Sequence, residues 1–586
     1  MTCSPDFFIS YAVTRLIRTI CIGPASIPII RLKPDVTMIP VTQIWPDELA
    51  ARYRAAGHWR GETFGAFLHE RARQMPDKVV VVDGDTRWTY AELDARADAL
   101  AAGFLASGLK PRDRVVVHLP NNAPFFEVVF GLFRAGMLPV YALPAHRITE
   151  IAHFAESAQA CAYVMAGAHG GFDYGELAQA LCERVSTVQH VFAVKPSKDE
   201  HLALAAVAAT GRAQGLPADH VGPAASDVAF LQISGGSTGL SKLIPRTHDD
   251  YIYTLRESDR ICGLGADSVF LAALPIAHNF PMSSPGVLGA VYAGATVVLS
   301  PSPSPEAAFP LIERERVTMT SLVPPLLLVW LQAAATTSHD ISSLKVMQVG
   351  GAKLTAEVAR RVRPVLGVTL QQVFGMAEGL VNYTRLDDPE DIIIHTQGRP
   401  ISEDDEVLVV DDQGQPVPEG EPGYLLTRGP YTIRGYHNNP SANARSFTAD
   451  GFYRTGDIVK RDAQGYLTVQ GRATDHINRA GEKISAEEIE DHLLAHPNVF
   501  DAAVVSIPDE YLGERSCAFI IAQGDKPRGA QIKQWMRERG VAEFKVPDQV
   551  VFVERFASTA ALKISRRELR AALRDRLMTP PQGDSV

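Results

Sequence analysis

Ser234-Gly235-Gly236-Ser237-Thr238-Gly239-Leu240-Ser241-Lys242 lies between an apolar run, Val228 to Ile233, and a helical pattern that starts near Thr247. A strand feeding a Gly/Ser/Thr loop and then a helix is a building unit of α/β folds. Gly235, Gly236 and Gly239 let backbone N–H groups converge on an anion without Cβ clashes. The hydroxyls and Lys242 add further donors. It is not a Walker A loop, because no Gly-Lys-Ser/Thr follows the four-residue gap. The stretch reads as a phosphate-binding loop, with a plain strand–helix turn as the alternative.

Outward from the loop, strands and helices alternate. Upstream, helical patterns cover Asp47 to Ala56 and Glu62 to Gln74, and Val79 to Asp83 reads as a strand. Thr89 and Glu92 form a capping box before Leu93, Ala97, Leu100 and Phe104 at helical spacing. Arg114 to Leu119 is a strand, Ala123 to Ala135 a helix and Leu138 to Leu143 a strand. Downstream, strands read at Val269 to Ala273, Thr296 to Leu299, Met319 to Val323, Val346 to Val349 and Leu370 to Phe374. This predicts an α/β fold with largely parallel sheets and right-handed crossovers, in two similar halves. From about Glu406, short strands with Gly/Pro turns, such as Gly423 to Arg428, predict a β-rich subdomain. From Gly471, helices at Ser485 to Ala495 and Gly529 to Arg539 flank strands at Ala502 to Ser506 and Ser516 to Ile521. That is a small α+β unit. The expected division is a leader over 1–37, a core over 38–470 and a C-terminal domain over 471–586. In the leader, Phe7 to Ile22 is apolar but broken by Arg15 and Arg18, with no small-residue cleavage site after it. It reads as neither signal peptide nor anchor. Two readings stay open, a disordered or mis-annotated leader, with Met38 as an alternative start, or a short targeting or contact helix.

Composition narrows the function classes. Of 586 residues, 46% are hydrophobic and 21% charged, enough to bury several cores and too apolar for a solvating chain. The formal charge of -10 argues against nucleic acid as the main partner. Cys3, Cys21, Cys161, Cys182, Cys262 and Cys517 are scattered without a CxxC pair. That argues against a zinc site or disulfide framework and fits a reducing cytoplasm. No uninterrupted apolar run reaches the roughly 18 residues of a membrane span.

Four further stretches follow the loop in order: Gly350-Gly351-Ala352-Lys353, Gln372-Val373-Phe374-Gly375-Met376-Ala377-Glu378-Gly379, Tyr453-Arg454-Thr455-Gly456-Asp457 and Gly471-Arg472-Ala473-Thr474-Asp475. With the loop and its Leu243-Ile244-Pro245-Arg246-Thr247-His248 flank, the set resembles the adenylate-forming superfamily of acyl-CoA ligases and adenylation domains. It is most similar to the stand-alone 2,3-dihydroxybenzoate–AMP ligases of siderophore biosynthesis. The likeness runs from about Ile39 to Leu577.

The resemblance implies a site. Ser234 to Gly239 and Lys242 would hold ATP phosphates, Glu378 a Mg2+ ion, Gly351, Ala352 and Lys353 the adenine, and Asp457 with Arg472 the ribose side. Thr474 would be the hinge of a mobile C-terminal domain. Ala480-Gly481-Glu482-Lys483 would line a thiol tunnel. Lys563, in Ala561-Leu562-Lys563-Ile564-Ser565, matches a catalytic lysine that the family presents after glycine. Leu562 departs from that pattern, and Leu does not readily take positive φ. Arg566 and Arg567 read as a solvated or partner-facing edge.

The chemistry explains such a set. A carboxylate attacking a polyanion needs its charge neutralised and its approach aligned. Ala277-His278-Asn279-Phe280-Pro281-Met282-Ser283-Ser284 follows a strand end, where α/β sheets place ligands. By resemblance His278 lies near the acid and phosphate, and Asn279 faces a ring hydroxyl. Phe280, Val373 and Val381 shape a flat aryl slot. Ser284 favours a second ring hydroxyl, hence 2,3-dihydroxybenzoate over the alternative, salicylate. No carrier-protein Asp-Ser-Leu motif occurs, so the acceptor would be a separate aryl carrier protein, with coenzyme A as the alternative. A reading from another class, a non-catalytic adenylate-binding protein, is motivated by Leu562.

Overall fold

The computed structural model describes residues 39–41, 45–234, 241–479, 482–509 and 511–578. The leader lies outside them, and so do 235–240 of the phosphate loop and Gly481. Among the described residues the strands form four main sheets and one short hairpin. Residues Met38–Val586 make one compact unit.

The largest sheet has nine strands. Its middle is parallel: Val79–Asp83, Thr296–Leu299, Val269–Ala272, Met319–Leu322, Val346–Gly350 and Thr369–Met376 lie side by side. Gly379–Tyr383 turns back antiparallel on Thr369–Met376. The second sheet has seven strands, with Val228–Ile233, Leu138–Tyr141, Arg114–His118, Ala162–Met165 and His190–Ala193 parallel. Two α/β halves are therefore present, but they are not consecutive in sequence. Val79–Asp83 joins the later strands by pairing with Thr296–Leu299, and Val228–Ile233 joins the earlier ones through Leu138–Tyr141. Apolar periodicity identifies a strand but carries no information about its distant partner.

The phosphate loop also departs from expectation. Leu243–Thr247 is a strand, antiparallel to Val228–Ile233, so the loop closes a hairpin before the helix begins. Pro245 is tolerated because this strand is the sheet edge. The helix then starts at His248, as expected, with Thr247 as N-cap and Asp250 completing a capping box. The Thr89–Glu92 capping box opens Tyr90–Ala106 as read.

The β-rich stretch is a four-stranded antiparallel sheet of Glu406–Val410, Gly423–Arg428, Tyr453–Arg461 and Leu467–Arg472. The last sheet carries the long pair Val499–Asp509 and Gly513–Ala522. Helices Ala486–Leu494 and Gly529–Glu538 bury Ile489, Leu493, Ile532 and Met536 on one face. Arg566–Met578 buries Leu569 and Leu573 on the other. Leu494 and Phe500 of this region pack against the core around Val358 and Val362, and Asp491 Oδ1 accepts from Glu357 N at 3.4 Å. That acid satisfies an N–H at the start of helix Ala356–Leu366, where a negative charge is favoured. Among the described residues no helix is long and apolar enough to cross a membrane.

Candidate active site

The segment expected to form the acid slot follows the strand Val269–Ala272 and holds a five-residue helix, Asn279–Ser283. His278 caps that helix, its Nδ1 accepting from Phe280 N at 3.3 Å. Burial, with the Lys563 and His146 charges, pushes His278 down to about 3. It is thus neutral near pH 7, with Nδ1 used as acceptor, so its Nε2 carries the proton as a donor. Asn279 Oδ1 accepts from the Tyr251 hydroxyl at 2.9 Å. The carbonyl is committed, so Asn279 offers a ligand its NH2 group. The slot wall is tight. A Cβ on Gly350 would stand 2.8 Å from the Val373 carbonyl oxygen and 3.0 Å from Phe280 Cζ. Val373 pairs with Tyr383 and Gly375 with Val381, which puts these four on one face of the hairpin. Phe280, Ser284, Val373 and Val381 are all buried.

Lys563 comes to this slot from the far end of the chain. A Cβ on Gly351 would lie 3.0 Å from Lys563 Cε and 3.6 Å from its Nζ. Burial and the Arg472 charge pull the Lys563 ammonium down to about 8, against the opposing pull of Asp457. The presenting turn is closed by Thr559 N donating to Lys563 O at 2.7 Å and Leu562 N donating to Thr559 O at 2.9 Å. Leu562 does take the left-handed conformation, φ 61°. Ala560, Ala561 and Leu562 pack against the main core, which offsets the ~1–2 kcal/mol of a left-handed non-glycine residue. Arg566 corrects the expectation of a solvated edge. Its guanidinium forks onto Glu490 at 2.7 and 3.0 Å, and the pair is mostly buried. Arg567 is exposed as expected.

Asp457 is 4% exposed. Its Oδ1 pairs with Arg472 Nε at 2.8 Å, while Oδ2 is buried with no partner. Burial pushes this carboxyl up, and Arg472 pulls against it. A desolvated carboxylate oxygen without a donor is costly, and vicinal ribose hydroxyls are donors that would satisfy it. Glu378 Oε1 accepts from the Tyr436 hydroxyl at 2.9 Å, and Lys242 Nζ stands 4.8 Å from the centre of the Tyr436 ring. One phenol thus sets the phosphate-loop lysine beside the acidic residue. The loop ends are clamped, Ser234 N donating to Lys242 O at 3.0 Å and Lys242 N to Ser234 Oγ at 2.9 Å. Among the described residues no group of three or more His, Cys, Asp or Glu side chains could cage a metal. Glu378 with nucleotide phosphates is a donor set that suits Mg2+, which keeps few protein ligands.

The described site residues split into those the fold brings together and those it does not. Phe280 and Val373 meet at Gly350, Lys563 reaches Gly351 and acts on His278, and Val381 shares the hairpin face of Val373. Glu378 and Lys242 meet through Tyr436, and Asp457 meets Arg472. Lys353 acts on Glu487, a carboxyl that burial lifts to about 7. Ala352 and Thr474 are exposed, Thr474 in the turn after Leu467–Arg472. Sequence reasoning missed Tyr251 and Tyr436, which hold Asn279 and Glu378. It also missed Arg246, whose NH1 donates to Ala377 O at 2.9 Å and fixes the backbone next to Glu378.

A family model described as AMP-binding enzyme matches residues 68–437, well over half the chain. This chain is an AMP-binding enzyme. The family's C-terminal domain matches residues 488–563, ending on Lys563. The AMP-binding enzyme is 58% identical to a 2,3-dihydroxybenzoate-AMP ligase of Bacillus subtilis, over 91% of this chain and 98% of that one. It is 46% identical to a salicyl-AMP ligase / salicyl-S-ArCP synthetase of Mycobacterium tuberculosis, over 90% and 93%. Among solved structures it matches Mycobacterium smegmatis MbtA in its apo form with a TM-score of 0.70 and 47% identity, over 90% and 98% of the two chains.

Proposed function

We propose that this AMP-binding enzyme activates 2,3-dihydroxybenzoate with ATP and passes the aryl group to the phosphopantetheine thiol of a separate aryl carrier protein, in siderophore biosynthesis. A carboxylate oxygen attacks the α-phosphorus, the bond to the bridging oxygen breaks, and pyrophosphate leaves. The carrier thiolate then attacks the acyl carbon and AMP leaves. The observation that carries the reading is Lys563 reaching Gly351 beside the slot that holds His278 and Asn279. Lys563 is the cation that draws the acid's carboxylate to the α-phosphate. Neutral His278 donates from Nε2, and the Asn279 amide donates to the ring hydroxyl ortho to the carboxylate. Ser284 meets the second ring hydroxyl. Asp457 holds the ribose hydroxyls, with Arg472 beside it. Gly351, Ala352 and Lys353 line the adenine. Ser234 to Gly239 and Lys242 take the β- and γ-phosphates, and Glu378 would hold a Mg2+ ion, which supplies charge neutralisation there. For the second step residues 471–586 turn about Thr474 and bring the Gly481 segment to the thiol. Use of ATP and of a carrier protein places the reaction in the cytoplasm.

The 58% identity to a 2,3-dihydroxybenzoate ligase supports this acid over salicylate, and Ser284 supports it independently. The non-catalytic reading loses its motive, because Leu562 adopts the left-handed turn and Lys563 reaches the slot. ATP–pyrophosphate exchange with a panel of benzoates tests the proposal, with 2,3-dihydroxybenzoate expected to give the highest kcat/KM. A folded enzyme that exchanges with none of them is no ligase. Lys563→Ala should lower exchange by about a hundredfold or more, the loss of a charge stabiliser in the transition state. It should spare thioester formation from supplied aryl-adenylate. Exchange retained in that variant would assign the cation's role elsewhere.

A further inference from the structure

Arg246 touches both sides of the site. It lies on the strand Leu243–Thr247, which closes the phosphate-loop hairpin, and is 2% exposed. Its Nε donates to Asp250 Oδ1 at 2.7 Å across the strand–helix junction. Asp250 is itself held, its Oδ2 accepting from the Thr247 amide and hydroxyl at 2.8 Å each. Arg246 Nη1 donates to the Ala377 carbonyl at 2.9 Å, and the carbonyl of Glu378 accepts from Ile433 N at 2.7 Å. The backbone is thus pinned on both sides of the Glu378 side chain. In the other direction the guanidinium stacks on Tyr251, its carbon 4.6 Å from the ring centre. Phe230 meets the same ring edge-on at 4.7 Å, and the Tyr251 hydroxyl donates to Asn279 Oδ1 at 2.9 Å.

Replacing a buried ion pair by well-packed apolar groups is often neutral or stabilising, so stability is a weak reason for this one. Arg246 Nη2 is buried with no partner among the described residues, a further cost that apolar packing would avoid. What the guanidinium does supply is a rigid plane with donors in fixed directions. That plane joins three segments far apart in the chain. We propose that Arg246 is a positioning residue that links Asn279, on the aryl-acid side, to Glu378, on the phosphate side, so that acid and nucleotide strengthen each other's binding. This rests on the aryl-acid reading above and adds how its two substrates are coupled. A ligand that holds Asn279 restrains Tyr251 and the guanidinium stacked on it, and the guanidinium restrains the Ala377–Glu378 backbone. The second ligand then meets a site already ordered by the first. By linkage the gain is reciprocal, the same factor for acid and nucleotide.

Calorimetric titration tests this, as the Kd of 2,3-dihydroxybenzoate for the full-length enzyme with and without saturating α,β-methylene-ATP and Mg2+, a nucleotide that cannot react. In the wild type the analogue should tighten the acid by about fivefold or more. Arg246→Lys keeps a charge for Asp250 but loses the fork and the plane, and should bring that ratio to within about twofold of one. Tyr251→Phe keeps the ring and loses the bond to Asn279. It should erase the coupling equally, with affinity for the analogue alone unchanged, and it decides the matter if Arg246→Lys does not fold. A merely structural Arg246 would instead lower the melting temperature and both affinities and leave the ratio as in the wild type. A wild-type ratio near one, or a wild-type ratio kept in either folded variant, overturns the proposal and leaves the ligase reading standing. No binding of the acid to the wild type under either condition overturns both.

Discussion

Lys563 and Asp457 show how single residues are held in states that water would not favour. For Lys563, burial and Arg472 disfavour the charge, and Asp457 opposes them, leaving it titrating at about 8. The protonated form is the working form, so kcat/KM for adenylation, which reports the enzyme before substrate binds, should fall as pH rises through about 8. In Lys563→Arg, whose guanidinium stays charged, that alkaline limb should vanish at a lower plateau. A profile flat to pH 9.5 in the wild type, or a limb unmoved in the variant, would refute the assignment. Asp457 keeps one buried oxygen without a partner. Asp457→Asn removes a desolvated charge, so the nucleotide-free protein should melt at the same or a higher temperature. Nucleotide affinity should meanwhile fall by about ten- to a hundredfold, as when a charged hydrogen bond worth ~1.5–3 kcal/mol is lost. Calorimetric titration with ATP checks the second half. The Thr455-Gly456-Asp457 stretch was visible in sequence as a motif, but not the unmatched oxygen, which depends on how Leu467–Arg472 pairs beside it.

At the scale of elements, three segments meet at Gly350, where the acid slot is proposed. The strand Val346–Gly350 ends against the hairpin Thr369–Met376 and Gly379–Tyr383, and helix Asn279–Ser283 leans Phe280 across the gap. A Cβ at Gly350 must displace a carbonyl or an aromatic ring, so Gly350→Ala should close the slot. The KM for the aryl acid should rise about tenfold or more while ATP affinity holds, since overpacking of this kind costs ~1–3 kcal/mol. Equal loss of both affinities would instead report damage to the sheet. Most elements were legible in the sequence: Val79–Asp83, Ala123–Ala135, Val228–Ile233 and Thr296–Leu299 match to the residue. Leu243–Thr247 was not, because five residues carrying Pro and Arg after a Gly-rich loop have the texture of a linker. Only pairing with Val228–Ile233 makes them a strand.

Across the whole molecule, Ala560 to Leu562 tie the C-terminal region to the main core and carry Lys563 with them. Leu562 has a backbone conformation that glycine would take without strain, and a side chain that glycine lacks. Leu562→Gly removes both strain and contact, whereas Leu562→Ala keeps the strain and loses most of the contact. Adenylation should therefore rank wild type, then Gly, then Ala, with losses of up to about tenfold for burial worth ~1 kcal/mol or somewhat more. Single-turnover exchange measures the order, and a Gly variant faster than wild type would mean that the leucine only hinders. The sequence by itself determined the α/β class, most element boundaries, the family and the residue types of the site, because capping, periodicity and Gly-rich turns are local consequences of backbone sterics. The tertiary structure alone decided that Val79–Asp83 lies among the later strands, that Tyr251 and Tyr436 hold Asn279 and Glu378, that Arg566 is paired and buried, and that Leu562 still delivers Lys563. Each of these turns on a contact between segments far apart in the chain, and such contacts leave no periodic trace in either segment.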